Sequence, residues 1–217
     1  MASLVLDTAD AKRAAKLLCD AYEDAHYYLN FSTPVELLVA AIMSAQTRDD
    51  TVNRITPALF RKYRSAADYA RASQAALADE ISVVSFSTAK AKNIIGACKA
   101  IVKNYNGRVP DTIDALVLLP GIGRKTANTI LINAYGKVEG IPVDTWVIKL
   151  SHRIGFGSSS NPDRLEKEIQ SFLPHKRWGT FAYVLKAHGK SLCGNAPACS
   201  KCPVNRICMR NGVARSV

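Results

Sequence analysis

Residues 119–130 read LPGIGRKTANTI, and this stretch decides the fold. It divides two segments of helical character, 112–118 and 124–135. Pro120 and Gly121 stop the first, since proline has no amide hydrogen and glycine accepts the angles of a helix end. Gly121 and Gly123 permit backbone angles or close approaches that a Cβ would hinder. The second helix then opens with amide groups at the positive end of its dipole, and Arg124 and Lys125 add two cations there. Such an end suits an anion, for example a DNA phosphate held without readout of base sequence. An ordinary helix–helix turn would use the same two glycines, so the stretch alone leaves both alternatives open.

The rest of the chain extends the helical pattern into an all-α fold. Apolar residues recur at steps of three and four in 9–28, 35–45, 51–63, 89–105 and 124–135. Ser32-Thr33-Pro34 starts one helix, with Pro34 in the first turn and Glu36 close behind. Asn106-Gly107 ends another, Pro110-Asp111 opens the next, and Gly136 closes the helix after Tyr135. The longest obvious loop is 155–162, GFGSSSNP. No alternating strand pattern, repeat or low-complexity tract appears.

The chain has 217 residues, enough for one large domain or two small ones with their own cores. It carries 29 Lys and Arg against 18 Asp and Glu, a net charge of +11 that favours a polyanionic partner. The charge is also segregated. After Glu168 there is no acid, while Lys176, Arg177, Lys186, Lys190, Lys201, Arg206, Arg210 and Arg215 follow. Aromatic and cysteine residues interleave with these cations, which suggests a folded nucleic-acid surface rather than a solvated tail. The N-terminal stretch has early acids and no long apolar run. It is expected to be neither a signal peptide nor a membrane span, and the protein to be soluble and cytoplasmic. Cysteines there stay reduced, so four of the six crowded into 193–208 point to a metal rather than to disulfides. Cys19 and Cys98 fall on helical patterns and are expected in the core.

LPGIGRKTA, followed by Val143-Asp144-Thr145, by Ser44-Ala45-Gln46 and by the C-terminal cysteines, resembles the helix–hairpin–helix DNA glycosylases of the endonuclease III type. The landmarks run from about residue 31 to residue 208. The resemblance implies that Lys125 is an amine nucleophile. It would attack the sugar carbon bearing the damaged base, expel the base and leave a Schiff base, after which β-elimination cuts the strand. The amine must lose its proton to attack, and a helix N-terminus with neighbouring cations favours the neutral form. Taken in isolation, Lys125 would be a surface lysine on phosphate. Asp144 is well placed to cap the following helix. The resemblance adds a catalytic role, stabilising positive charge on the sugar or assisting proton transfer.

A base in a duplex must be flipped out before its glycosidic bond is reached, and the vacated stack needs a plug. Gln46 matches the family's inserted glutamine. The second wedge of the family is a leucine; here residues 84–91 read VSFSTAKA and Phe86 takes its place. Phe86 could stack between bases or be buried in a core. Trp146 is another departure, standing where relatives commonly have histidine, with either an altered pocket or a packing role.

Cys193, Cys199, Cys202 and Cys208 are spaced C-x5-C-x2-C-x5-C. Four thiolates suit zinc or an iron–sulfur cluster, and spacing alone leaves both open. The resemblance implies a 4Fe–4S cluster with a structural role. The loop between the first two cysteines, GNAPA, is one residue shorter than usual and uncharged, so phosphate contacts are expected from Lys190, Lys201 or Arg206.

The expected architecture is a helical domain over 27–137, with the hairpin at 112–135, and a cluster domain formed by 1–26 with 138–217. Lys125 and Asp144 would face each other across the intervening cleft. The expected function is a monomeric glycosylase with AP lyase activity, removing oxidised pyrimidines from damaged double-stranded DNA. No membrane, nucleotide cofactor or catalytic metal is implied. The alternatives are a mismatch uracil or thymine glycosylase with weak lyase action, and a non-enzymatic module binding abasic or distorted DNA.

Overall fold

The computed structural model describes residues 4–217; the first three residues of the N-terminal stretch considered above lie outside them. The described residues form eleven α-helices and two 3-10 turns, with no strand. They fall into two compact units, one of Tyr28–Glu139 and one of Met1–Tyr27 with Gly140–Val217.

The Tyr28–Glu139 unit holds α2 (Pro34–Ser44), α3 (Asp49–Lys62), α4 (Ala66–Arg71), α5 (Gln74–Glu80), α6 (Ser87–Asn104), α7 (Ile113–Leu116) and α8 (Arg124–Tyr135). Helix α2 buries seven consecutive residues, Leu37 to Met43, and so serves as the axis of the unit. It packs on α3, α6 and α8, while α4 and α5 lie on α6. Its start is fixed by a capping box between Thr33 and Glu36, with Pro34 in the first turn. Tyr69 is fully buried and stacks on Tyr63 with ring centres 4.8 Å apart.

The second unit holds α1 (Thr8–Ala21), α9 (Thr145–Ile154), α10 (Pro162–Gln170) and α11 (Trp178–Ser191). Leu18, Val147, Leu150, Leu165, Ile169, Phe181 and Leu185 meet in its core, and Phe156 stacks on Phe172 at 5.2 Å. Cys19 and Cys98 are buried among apolar side chains, as expected, and burial pushes the Cys98 thiol up to about 12.

Several boundaries depart from the periodicity. The pattern over 9–28 yields a helix that stops at Ala21. Tyr22 leaves helical angles (φ −132°, ψ 50°), and its hydroxyl meets His188 Nδ1 at 3.0 Å and Ser191 Oγ at 2.8 Å. That tertiary anchor outweighs the helical pattern beyond it. The segment 112–118 forms only the single turn of α7, ending at Leu116. Four helices that the sequence reading did not single out, α4, α5, α10 and α11, complete the fold. No described helix is long and apolar enough to cross a membrane.

Candidate functional site

The turn at 117–123 is built from local bonds. Thr112 caps α7 by accepting from the Ala115 amide at 3.4 Å. Leu119 N–H then donates to Leu116 C=O at 3.0 Å, and Ile122 N–H to Leu119 C=O at 3.1 Å. Leu119 and Ile122 point into the core and anchor the turn. Gly121 has φ +81°, and a Cβ there would come within 3.0 Å of the Asn93 side chain, so glycine is required twice over. Gly123 needs no special backbone angle. Its φ is −97°, which any residue can adopt, and a Cβ would meet nothing within 4 Å. Its smallness serves no internal contact; it leaves the N-terminus of α8 approachable. No side chain caps that end and no acid lies in its first turn, while Arg124 and Lys125 are exposed. The arrangement is a positive, uncapped helix end bearing an accessible amine.

Gln46 and Phe86 lie on two loops of the same unit. Both are exposed, and both hold left-handed backbone angles, φ 54° and φ 58°, that side chains rarely adopt. Phe86 is 66% exposed, which excludes the core alternative for it. The loops are joined: Ser85 Oγ donates to Gln46 C=O at 2.9 Å, and Ser85 N–H donates to Thr47 Oγ1 at 3.1 Å. Beneath them lies Lys90, only 5% exposed, which the sequence reading passed over. Its signal was present. Lys90 shares the apolar stripe of α6 with Ile94, Ala97 and Ile101, an unusual place for a lysine.

Asp144 belongs to the other unit, where it caps α9. Its Oδ1 accepts from the amides of Trp146 and Val147, both at 2.9 Å. Trp146 packs its ring against α11 at Gly189, where any Cβ would overlap it, and Lys149 Nζ sits 5.4 Å from the ring centre. Packing therefore accounts for this tryptophan, through a glycine 43 residues away.

The four clustered cysteines converge. All are free thiols, and all line one pocket enclosing about 340 Å³ of empty space, part of it open. Cys193 is buried and the others are half-buried. Donors reach two of the sulfurs, and a histidine nitrogen meets a third. Arg153 Nη1 lies 3.5 Å from Cys193 Sγ and also donates to the carbonyls of Cys193 and Gly194 at 3.0 and 2.7 Å. The Arg210 amide donates to Cys208 Sγ at 3.4 Å. His188 Nε2 is 3.7 Å from Cys202 Sγ. Burial raises the Cys202 thiol and pushes that of Cys208 up to about 11. Thiols so disposed become good ligands when a strong cationic centre replaces their protons. The donor set thus fits a thiolate-bound centre. Among the described residues no three His, Cys, Asp or Glu side chains close on a single-ion position. Lys190, Lys201 and Arg206 are exposed, as are the four further cations Lys176, Arg177, Arg210 and Arg215, while Lys186 is half-buried.

A family model described as HhH-GPD superfamily base excision DNA repair protein matches residues 39–175. The chain is 38% identical to endonuclease III of Synechocystis sp. over 213 residues, covering 96% of this chain and 97% of that one. It is 37% identical to endonuclease III of Bacillus subtilis, covering 90% of each. A solved structure described as a trapped endonuclease III–DNA covalent intermediate superposes with a TM-score of 0.90 at 34% identity, over 94% of this chain and 96% of that one. On sequence, fold and the uncapped helix end together, the chain belongs to the HhH-GPD superfamily of base excision DNA repair proteins and, within it, to the endonuclease III group of DNA glycosylases with AP lyase activity.

Proposed function

We propose that this protein removes oxidised pyrimidines from duplex DNA and cuts the strand through a Schiff base on Lys125. The observation that carries the reading is an exposed amine at the second position of α8, behind a glycine turn that leaves the helix end open. A covalent DNA intermediate is described for the structural relative at TM-score 0.90. The positive end of α8 and Arg124 hold phosphate and favour the neutral amine. Lys125 Nζ attacks the sugar carbon C1′. The bond from C1′ to the base breaks, and the base departs with its electron pair and takes up a proton. Opening of the sugar gives the imine, which acidifies the C2′ protons. Loss of one proton expels the 3′ phosphate and cleaves the strand. Asp144 caps α9 through Oδ1, and its carboxylate is assigned to stabilise the positive charge that develops on the sugar. Gln46 and Phe86 fill the space that the flipped nucleotide leaves.

Cys193, Cys199, Cys202 and Cys208 are assigned as ligands of a 4Fe–4S cluster. The four thiols line one pocket, and the likeness to the endonuclease III type is what favours a cluster over zinc. When bound, the cluster supplies four iron–thiolate links that tie the 193–208 loop together. Lys190 and Lys201 then present fixed cations to the DNA backbone. The protein is assigned as a cytoplasmic monomer.

Borohydride trapping on duplexes containing thymine glycol tests the reaction. A covalent adduct is expected, and Lys125→Ala should abolish it. Base release without any adduct would instead place the chain among glycosylases that use water, and binding without base release would leave only a recognition module.

A further inference from the structure

We infer that Lys90, with Thr47 and Ser85, holds Gln46 and Phe86 together as one pre-set wedge. This rests on the assignment of Gln46 and Phe86 to the gap in the DNA stack. Lys90 Nζ donates to Met43 C=O at 2.7 Å, to Ala45 C=O at 2.6 Å and to Thr47 Oγ1 at 3.0 Å. Helix α2 ends at Ser44, so Met43 and Ala45 carry carbonyls at a helix end that need partners from elsewhere. The ammonium supplies them and lies at the negative end of the α2 dipole. Burial opposes the charge on Lys90, and three acceptors within 3.0 Å offset that cost.

The same side chain connects the two loops. Lys90 stands in the first turns of α6, and its amide donates to Phe86 C=O at 3.0 Å. Its ammonium grips Thr47, one residue past Gln46. Thr47 Oγ1 in turn accepts from the Ser85 amide, one residue before Phe86, and Ser85 Oγ donates to Gln46 C=O. Each tip is therefore flanked by a residue bonded to the other loop. The closed circuit explains how two side-chain-bearing residues keep left-handed angles on exposed loops, a state that side chains rarely adopt. Lys90, Thr47 and Ser85 are positioning residues: each acts on DNA through the tips.

The test is a double-mutant cycle in the full chain, reading base extrusion by 2-aminopurine fluorescence and single-turnover base removal. Thr47→Val and Ser85→Ala should each slow extrusion by about fivefold, the scale of one lost hydrogen bond. Lys90→Met should slow it by on the order of tenfold or more, because a charged donor to two carbonyls is lost. In a chain already carrying Gln46→Ala and Phe86→Ala, Thr47→Val and Ser85→Ala should have no further effect. Simple destabilisation would instead slow both backgrounds equally, and that result overturns the clamp. So does an unchanged extrusion rate in both Thr47→Val and Ser85→Ala, which carry the test should Lys90→Met fail to fold. Unchanged extrusion in the Gln46→Ala, Phe86→Ala chain alone would overturn the wedge assignment itself, an outcome separate from failure of the clamp.

Discussion

Between Val117 and Arg124 the backbone is held by short-range bonds and two buried side chains, and the exposed Lys125 sits on the helix that follows. Between Cys193 and Cys208 the backbone is held from far away. Arg153 reaches it from α9, Lys149 Nζ donates to Asn195 Oδ1 at 3.1 Å, and the Met209 and Asn211 amides bond back to Ile154 and Arg153. Only two 3-10 bonds and a few turns are its own. The first region is preformed, because glycine geometry and caps specify it locally. The second gathers four thiols around one pocket and is placed by partners distant in sequence.

The largest effect should come from the second region. Stripping the cluster, or Cys208→Ser, should lower stability by on the order of 5 kcal/mol and erase the yellow-brown absorption. Amide exchange within 28–139 should stay slow in that state if the hairpin is self-sufficient, and fast exchange at 117–124 would break the contrast. Next in size, Gly189→Ala should cost about 1–3 kcal/mol in thermal unfolding, because a methyl group must displace the Trp146 ring. Gly121→Ala should cost about 1–2 kcal/mol from its φ of +81°, lowering DNA affinity with it. Asp144 separates two roles. Asp144→Ala loses about 1 kcal/mol of cap, whereas Asp144→Ser should keep the cap and still lose base-removal rate. A full rate in the serine variant would confine Asp144 to capping. Smallest in stability is Gly123→Ser, which should stabilise the fold by a few tenths of a kcal/mol through a new cap while weakening DNA binding measured by anisotropy. Matching signs would mean that the open helix end does not serve phosphate.

Much of this was legible from residues alone. LPGIGRK, the Thr33–Glu36 box and the Gly136 stop obey local rules, and the structure places turns and helix ends where they predict. The pair of buried cysteines followed from periodicity. What remained hidden depends on distant partners. Helix α1 ends at Ala21 because Tyr22 binds a histidine 166 residues away. For Trp146 the residues alone leave an altered pocket and a packing role open, and Gly189 beneath the ring supplies the packing role. Of the two reasons the sequence offers for Gly123, backbone angles or close approach, its φ of −97° removes the first and leaves approach from outside the protein. Lys90 was quoted as one letter of a motif, and only its three acceptors reveal that it is buried for a purpose.

Under the wedge role proposed for Gln46 and Phe86, their left-handed angles have a consequence for searching a genome. A probe already stiff in its final shape gives up little freedom when pressed against a base pair, so each inspection is quick and nearly independent of the enzyme. The resistance met is then that of the DNA. Sound pairs push back, and a weakened stack yields. On this view the protein carries a gauge of constant shape, and lesions are found by how softly the helix gives way before any atom of the damaged base is recognised.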